Sequence, residues 1–269
     1  MLYKRDYLLG LTTEEKQQYK EVTGREFGEK RVRGFGRVNN FLTYPKAARM
    51  CKSLFPNNYL DVAELHNHER LQKANDEFFT LLNNKECTER AILNFIRDKE
   101  YYHIIGSLIW GLSINTGNHG AYLFPEFQLG NSYKADYLIM GKSSGGYEFV
   151  LVELESPYGK ITLKDGQLGE EFRDGISQLE DWRRWLPTNY SSFGKIMRKH
   201  KNKSLDLPEE FYTLDMSRFH YVVIAGRRSD FKDKTYIIKR ERKKTDDINI
   251  IHYDNLFDFS NNLIGKITY

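Results

Sequence analysis

The sequence has little cysteine and contains no long apolar run. Only two cysteines occur among the 269 residues, and Cys51 and Cys87 form neither a metal-ligand spacing nor a disulfide framework. No stretch approaches the roughly 18 apolar residues that a membrane span needs. The first residues also lack the charged and then apolar pattern of a secretory leader. We therefore expect a protein of the reducing cytoplasm that has no membrane partner.

Neither sign of charge dominates, and no internal repeat or low-complexity segment stands out. The net charge is +4 and the isoelectric point is near 8.8. This balance permits nucleic-acid binding but argues for it only weakly, because a basic stripe matters more than the sum of charges. What the chain does have is a hydrophobic content of 40%, including 14% aromatic residues. That content supports a sizeable core in one large or two small domains.

The most informative stretch of the chain is residues 124–182, which contains a hairpin pattern. Tyr133–Met140 and Tyr147–Leu154 are rich in β-branched, aromatic and aliphatic residues, and a segment of Gly, Lys and Ser separates them. This pattern predicts a β-hairpin. A turn centred between Ser144 and Gly145 gives three opposed pairs: Met140 with Phe149, Leu138 with Leu151, and Asp136 with Glu153.

The predicted register brings acidic side chains together at the end of the hairpin away from the turn. Glu155 points to the same side as Glu153 because side chains alternate along a strand. Directly opposed residues have Cβ atoms roughly 4.5–5.5 Å apart, so Asp136 and Glu153 repel each other unless a cation lies between them. Mg²⁺ meets that need, since it takes oxygen ligands. The alternative is that these acids are solvated strand ends, and a one-residue bulge would break the pairing.

Helical and extended patterns alternate along the rest of the chain, which predicts an α/β fold with a partly antiparallel and partly parallel sheet. Thr88 can cap a helical pattern over 87–110, and Asp165–Leu186 is predicted to be a helix that Pro187 ends. The further predicted elements are strands at 121–129, 220–225, 235–238 and 248–253, and a closing helix at 254–264.

Residues 1–85 are harder to interpret. A helix is predicted from Thr12 to about Val22, and another over 57–82 with a bend near His66. His66 and His68 are interpreted as surface residues and not as metal ligands, because residues two apart do not share a helix face. The segment 25–38 mixes basic residues with Phe and Gly. It is either a nucleic-acid strap with stacking aromatics or a solvated loop or hairpin.

Three further features have both a functional and a structural interpretation. Glu89 is either a metal ligand at the mouth of the sheet or an acid that favours the positive end of a helix. The polar, basic segment 195–208 is a mobile loop or a phosphate contact. Gln178 lies four residues before Trp182, and the structural interpretation makes Gln178 a boundary residue and Trp182 part of the core.

Asp136, then Glu153-Leu154-Glu155, then Gln178 on a following helix resemble the PD-(D/E)xK nuclease superfamily. The ordered motifs ADYLIM, VELESP, SQLEDW, VVIAGRR and IIHYDNLFDF are similar to the nuclease domain of the Shedu anti-phage defence proteins over roughly residues 86–265. The resemblance implies a restriction-endonuclease-like α/β core at 86–269, with a mixed central sheet flanked by helices. Residues 1–85 would then form a mainly helical region that acts as a sensor, an arm of a homo-oligomer or a DNA clamp.

The resemblance also implies a metal-dependent DNA endonuclease. Asp136 and Glu153 would bind Mg²⁺, with Mn²⁺ as the alternative, and Gln178 would help to position the site. Glu155 departs from the family, which has a lysine there that orients or activates the attacking water. Some restriction endonucleases of the superfamily have Glu at this position, as a metal ligand or general base.

Four basic residues are candidates for contacts with DNA or with the site. Lys160 or Lys164 would restore the missing cation near Glu155. Arg227 and Arg228 would approach the DNA backbone, because the planar guanidinium suits phosphate; surface salt bridges are the alternative interpretation.

Two other functions compete with the nuclease hypothesis. One is a non-catalytic DNA-binding or regulatory module that has lost activity through the change from Lys to Glu at Glu155. The other is a retaining glycoside hydrolase, since paired carboxylates about 5 Å apart suit that reaction. We see no aromatic carbohydrate platform tied to these acids.

Overall fold

The computed structural model describes residues 2–28, 53–114 and 120–269, which form a six-stranded sheet in the order β1-β2-β3-β4-β5-β6. Neighbouring strands are antiparallel from β1 to β4 and parallel from β4 to β6. The predicted α/β fold with a mixed sheet is therefore confirmed. The strands are Tyr59–Leu60 (β1), Ala121–Leu129 (β2), Tyr133–Ser143 (β3), Gly146–Leu154 (β4), Phe219–Ile224 (β5) and Ile248–Ile251 (β6).

Helices cover both faces of this sheet. Within the described residues, the α-helices are Thr13–Gly28 (α1), His68–Asn83 (α2), Glu89–Lys99 (α3), His103–Gly111 (α4), Glu170–His200 (α5), Asp233–Asp246 (α6) and Tyr253–Leu263 (α7). None of these helices combines the length and apolar character that crossing a bilayer requires.

The hairpin has the register that the sequence predicts. Met140 pairs with Phe149 and Leu138 with Leu151, around a two-residue turn after Ser143. The ladder ends at the pair Tyr137 and Val152, so the next opposed residues in this register are Asp136 and Glu153.

Side-chain alternation along β3 and β4 gives the sheet two buried faces. Tyr137, Ile139, Val150 and Val152 pack in one cluster with residues of α2, α3, α4 and α7. Leu138, Met140, Phe149 and Leu151 pack in a second cluster beneath α5. Both faces are covered, which explains the nearly continuous apolar runs in these strands. Glu153 shares the alternation of the second set and so lies on the α5 face, whereas the alternation of β3 changes beside Asp136, because Ala135 also packs in the second cluster.

The helix predicted to end at Pro187 is kinked there and does not end: two helical halves meet at Asn189, and α5 as a whole runs to His200. Proline removes one backbone hydrogen bond from a helix and kinks it. Asn189 has non-helical dihedral angles (φ −124°, ψ 16°), and its side-chain amide donates to the Trp185 carbonyl at 3.0 Å. The helix persists beyond this kink because Tyr190, Phe193 and Met197 remain buried. The predicted connection at 195–208 is therefore helical as far as His200.

The prediction of a strand at 235–238 is wrong, since these residues lie in α6. A four-residue apolar run does not distinguish a strand from part of a helix. The Thr235 hydroxyl accepts a hydrogen bond from the Lys232 N–H (3.2 Å) and donates to the Gly166 carbonyl (2.8 Å). These contacts fix the start of the helix, and Ile237 is 46% exposed on it.

The described N-terminal residues are mainly helical, with some departures from prediction. Thr12 and Glu15 exchange side-chain to backbone hydrogen bonds of 3.2 and 3.0 Å, a capping box that begins α1. The helix expected from Asn57 begins only at His68, after β1 and a 3-10 segment at Val62–His66. His66 and His68 are exposed, as predicted. Beyond the backbone of α1, the segment 25–38 lies outside the described residues.

The segment just before residue 86 packs on the same sheet and core as the residues that follow it. Strand β1 pairs with β2, and Leu71 and Phe78 of α2 belong to the cluster that includes Ile139 and Val152. A domain boundary after residue 85 stays a prediction.

Candidate active site

Three carboxylates lie at the end of the β3–β4 hairpin that is farther from its turn. Asp136 on β3 and Glu153 on β4 are only 8% and 7% exposed. The Leu154 N–H donates to the Asp136 carboxylate at 2.8 Å. Directly after β4, the Glu155 N–H donates to the Ile224 carbonyl (2.8 Å), and the Tyr253 hydroxyl donates to the Glu155 carbonyl (2.7 Å). Strand pairing and these hydrogen bonds together hold the acids beside one another.

The Glu153 side chain is the most unusual group of this site. Its Oε2 atom is buried and has no hydrogen-bond partner among the described residues. A buried polar atom without a partner costs about 1–3 kcal/mol, and a charged one costs more. A bound cation or a bound proton would remove that cost.

Burial and mutual repulsion raise the pKa of each of the three carboxyls. Burial raises the pKa of Asp136, the Leu154 N–H offsets part of this rise, and Glu89 adds to it. Burial also raises the pKa of Glu153, and the charges of Asp136 and Glu155 raise it further. Burial and then Glu89 raise the pKa of Glu155 to about 8. At neutral pH this group of acids retains protons unless a cation neutralises it.

Glu89 fits both of its proposed interpretations. It is the first residue of α3, where the Thr88 hydroxyl caps the helix by accepting from the Ala91 N–H at 3.2 Å. An acid there favours the positive helix end. Burial nevertheless raises the pKa of Glu89, and its charge raises the pKa values of Asp136, Glu153 and Glu155. Glu89 therefore lies within electrostatic reach of all three acids.

Helix α5 closes the site from the second sheet face. The Gln178 side-chain amide lies 3.4 Å from the Glu155 carboxylate, to which it donates. One turn earlier, Gly175 leaves space for Glu155: a Cβ there would lie 2.6 Å from Val223 Cγ2 and 3.0 Å from Glu155 Cγ. Trp182 is buried in the core, in agreement with its structural interpretation.

The two arginines after β5 form ion pairs within the protein. The Arg227 side chain is 12% exposed, and its guanidinium donates to both Asp254 carboxylate oxygens, at 3.1 and 2.8 Å. It also donates to the Tyr158 hydroxyl (3.0 Å) and to the Leu82 carbonyl. Arg228 is 56% exposed and pairs with Asp258. These contacts match the salt-bridge interpretation, and a DNA contact by either residue stays a prediction.

The two lysines lie in the segment between Glu155 and α5. The Lys160 ammonium pairs with Glu170 at 2.6 Å, at the first residue of α5. Lys164 is exposed, and its backbone carbonyl accepts a hydrogen bond from the Lys232 side chain at 3.1 Å. Their proposed contacts with nucleic acid stay predictions.

A comparison of the chain with models of protein families found a match. A family model described as Shedu protein SduA, C-terminal, matches residues 86–257, more than half of the chain. The chain belongs to this Shedu family. The resemblance predicted from the sequence motifs is therefore confirmed, and the match includes all of the candidate acids and Gln178. No curated protein matches the chain.

The donor atoms of this candidate site suit a hard divalent cation, but they do not surround one as placed. Carboxylate oxygens are the ligands that Mg²⁺ prefers, and the unpartnered Glu153 Oε2 is a buried oxygen available to an ion. In the part of the chain that the structure describes, no three His, Cys, Asp or Glu side chains are grouped to hold a metal ion. Ion binding would therefore require the side chains to turn towards one another.

Sequence reasoning did not identify three residues beside these acids. Glu171 and Asp174, in the first turns of α5, raise the pKa of Glu155. Gly175 provides the close approach described above. A glycine inside an otherwise helical pattern can indicate close packing, and it was the available signal for this position. The two acids gave no signal, because acids are common at the start of any helix.

Proposed function

We propose that this Shedu-family chain is a metal-dependent DNA endonuclease that acts in anti-phage defence, in the cytoplasm. The observation that carries the proposal is the buried Glu153 carboxylate, which lies beside Asp136 and Glu155 and has one oxygen without a hydrogen-bond partner in the described part of the chain. Structural acids are usually paired, whereas strongly perturbed and unpaired carboxyls concentrate at functional sites.

Asp136 and Glu153 would hold the ion, and Glu155 and Glu89 are further candidate ligands. When bound, Mg²⁺ or Mn²⁺ would polarise the phosphate and lower the pKa of a bound water. The oxygen donor set and the orphaned Glu153 Oε2 support this assignment.

The remaining residues of the site would orient groups and move a proton. The Leu154 N–H fixes the direction of the Asp136 carboxylate. Glu155, with its pKa raised to about 8, would accept the proton of the attacking water, because a group that titrates near the working pH is an efficient base. Gln178 already contacts Glu155 and would hold this base in place or donate to a phosphate oxygen.

The replacement of the family lysine by Glu155 supports a second candidate function. This would be a DNA-binding or regulatory module that keeps the fold and has lost cleavage. The Lys160 ammonium, one candidate substitute for that lysine, pairs with Glu170 instead. The two candidates differ in outcome, since only the first predicts metal-dependent cutting.

The test is incubation of plasmid and linear DNA with Mg²⁺ or Mn²⁺. Asp136→Asn and Glu153→Gln should each reduce cleavage at least about 100-fold, because each removes a charged metal ligand. Glu241→Gln, at an exposed position of α6, is the matched control and should cut as the wild type does. Cutting that survives both site substitutions would refute this site. DNA binding without cutting under either metal would select the second candidate.

A further inference from the structure

A groove outside the acidic site runs between the second half of α5 and β2 with the turn that follows it. Its volume is about 930 Å³. On the α5 side it is lined by Trp185, Asn189, Ser192, Lys195 and Lys199. Gln128 and Asn131 lie on the opposite wall. At about 1.5 Å per residue, the path along the helical wall from Trp185 to Lys199 is about 21 Å, with a bend at Asn189, and it is long enough to hold several linked groups.

One end of this groove adjoins the acidic site. Glu126 lines the groove and lies in β2 opposite Asp136, since the flanking pairs are Pro125 with Tyr137 and Phe127 with Ala135. On the helix, Trp185 follows Gln178 by about two turns, or roughly 10 Å. A chain lying in the groove would therefore lead towards Asp136.

The groove carries positive charge that the described residues do not neutralise by ion pairs. Lys195 and Lys199 are exposed and lie about one helical turn apart. Neither forms an ion pair with a carboxylate among residues 2–28, 53–114 and 120–269. The acidic group of the lining, Glu126, pairs with Lys134 at 2.8 Å. The pair of lysines is thus available to an anionic ligand with repeated charges.

The groove also contains an indole ring held in place. Gly130, in the turn after β2, has φ +64°, and a Cβ there would lie 2.8 Å from Trp185 Cζ2. This close packing restrains the Trp185 ring, which stays partly exposed at the groove. A restrained aromatic side chain beside unneutralised lysines is the combination by which proteins bind unpaired nucleotides.

We propose that this groove binds a single strand of DNA. Lys195 and Lys199 contact successive phosphates, and a base stacks on Trp185. Gln128 and Asn131 offer amide groups to the bases. A single strand fits better than a duplex, because the faces of paired bases are stacked and closed to Trp185. The direction of the strand towards Asp136 rests on the proposed function, whereas binding in the groove does not.

The experiment measures binding of a fluorescent single-stranded oligonucleotide to the full chain in EDTA, so that no cleavage occurs. Lys195→Glu/Lys199→Glu should weaken binding at least 10-fold. It should also reduce the slope of log K against log salt by about 1.4, since each neutralised phosphate contributes about 0.7 on a single strand. Arg240→Glu/Lys244→Glu on α6 is the control, because it makes the same charge change at the same helical spacing on exposed residues.

A second measurement reports on the indole and not on charge. Bound DNA should quench tryptophan emission of the wild type, and Trp185→Phe should lose that quenching. Trp110→Phe, at a position 38% exposed on α4, should retain it. Unchanged melting temperatures would show that the variants fold.

Three results would overturn the proposal. The first is that the wild type binds no single strand, and the second is that the groove variant keeps wild-type affinity and salt slope. The third is that duplex DNA competes more strongly than single-stranded DNA at the same lysines. The proposed function fails separately: groove-dependent binding without any metal-dependent cutting would preserve this inference and refute the endonuclease. Cutting by a chain whose groove variant binds normally would do the reverse.

Discussion

The carboxylates at the two ends of the central strands differ in their ion pairing and in the direction of their pKa shifts. At the hairpin-turn end, His220 lies between Asp247 (2.7 Å) and Glu148 (3.2 Å), and Arg218 lies 3.7 Å from Glu148. Although burial works to raise it, His220 and Lys243 hold the pKa of Asp247 below its usual value. At the other end, Asp136, Glu153 and Glu155 face mainly other acids, and the pKa of each is raised. Paired acids stabilise the fold, whereas the unpaired acids mark the candidate site.

The largest effect on stability is expected from removing Arg227, the ion-pair partner of Asp254. Arg227→Ala would leave the largely buried Asp254 without its two guanidinium hydrogen bonds and would remove the hydrogen bond that Arg227 donates to the Tyr158 hydroxyl. Removing one partner of a largely buried ion pair costs about 3 kcal/mol. Urea unfolding would measure this loss. Arg228→Ala, at an exposed pair, is the control and should cost less than about 1 kcal/mol. Equal effects of the two changes would contradict the distinction between a buried and an exposed pair.

Gly175→Ala should have the next largest effect. The added methyl group would press on Val223 and Glu155, and overpacking of this kind costs about 1–3 kcal/mol. Because Glu155 is displaced, any metal-dependent cleavage should fall as well. Gly145→Ala in the hairpin turn is the comparison, since a Cβ there meets only Ser143 Oγ at 3.4 Å. Thermal unfolding of both variants measures the difference, and equal stability would show that α5 yields at this point.

Glu153→Gln should have a smaller effect of the opposite sign. Without metal, the neutral side chain removes the repulsion that arises once Glu153 loses its proton, so the free energy of unfolding should rise by about 1 kcal/mol near pH 10, to which the pKa of Glu153 is raised. In the wild type the raised pKa of Glu155 gives stability that is present below its unfolded value near 4.5 and is lost as pH rises through about 8. Mg²⁺ at pH 8 should therefore raise the melting temperature of the wild type and leave that of Glu153→Gln nearly unchanged. An equal rise in both proteins would place the ion elsewhere.

The smallest effect is expected at His220. Burial lowers its pKa, but the hydrogen bonds that the His220 ring donates to Asp247 and Glu148 outweigh burial and raise its pKa above 6.5. Its contribution is therefore fully present below about pH 6.5 and is lost as pH rises through the higher folded value. Compared with His220→Gln, the wild type should be more stable at pH 6 by less than about 1 kcal/mol, because Asp247 is partly exposed. A difference in melting temperature that grows from pH 6 to pH 9 would contradict this sign.

Local sequence signals were sufficient to predict the hairpin and its register, but not the features that depend on packing between distant segments. The Gly/Ser turn after Ser143 and the two apolar runs predicted a register that the structure confirms, because a two-residue turn fixes which residues face each other. Pro187 gave a strong local signal that tertiary packing overrode, since the apolar residues beyond it are buried against the sheet. The strand predicted at 235–238 failed for a similar reason: Thr235 bonds to Gly166, which is distant in sequence.

The sequence alone determined the α/β class, the order and pairing of β3 and β4, and the Shedu-family motifs. It also determined that three acids lie at the same end of these two strands. These features depend on residue alternation and turn chemistry, which act over a few neighbours. Only the tertiary structure decided that one Glu153 oxygen has no hydrogen-bond partner among the described residues, that Arg227 donates to Asp254 and Tyr158, and that Glu155 packs closely against Gly175. Burial and charge pairing depend on segments far apart in the chain, and their distances are set only when α5 and α7 pack against the sheet.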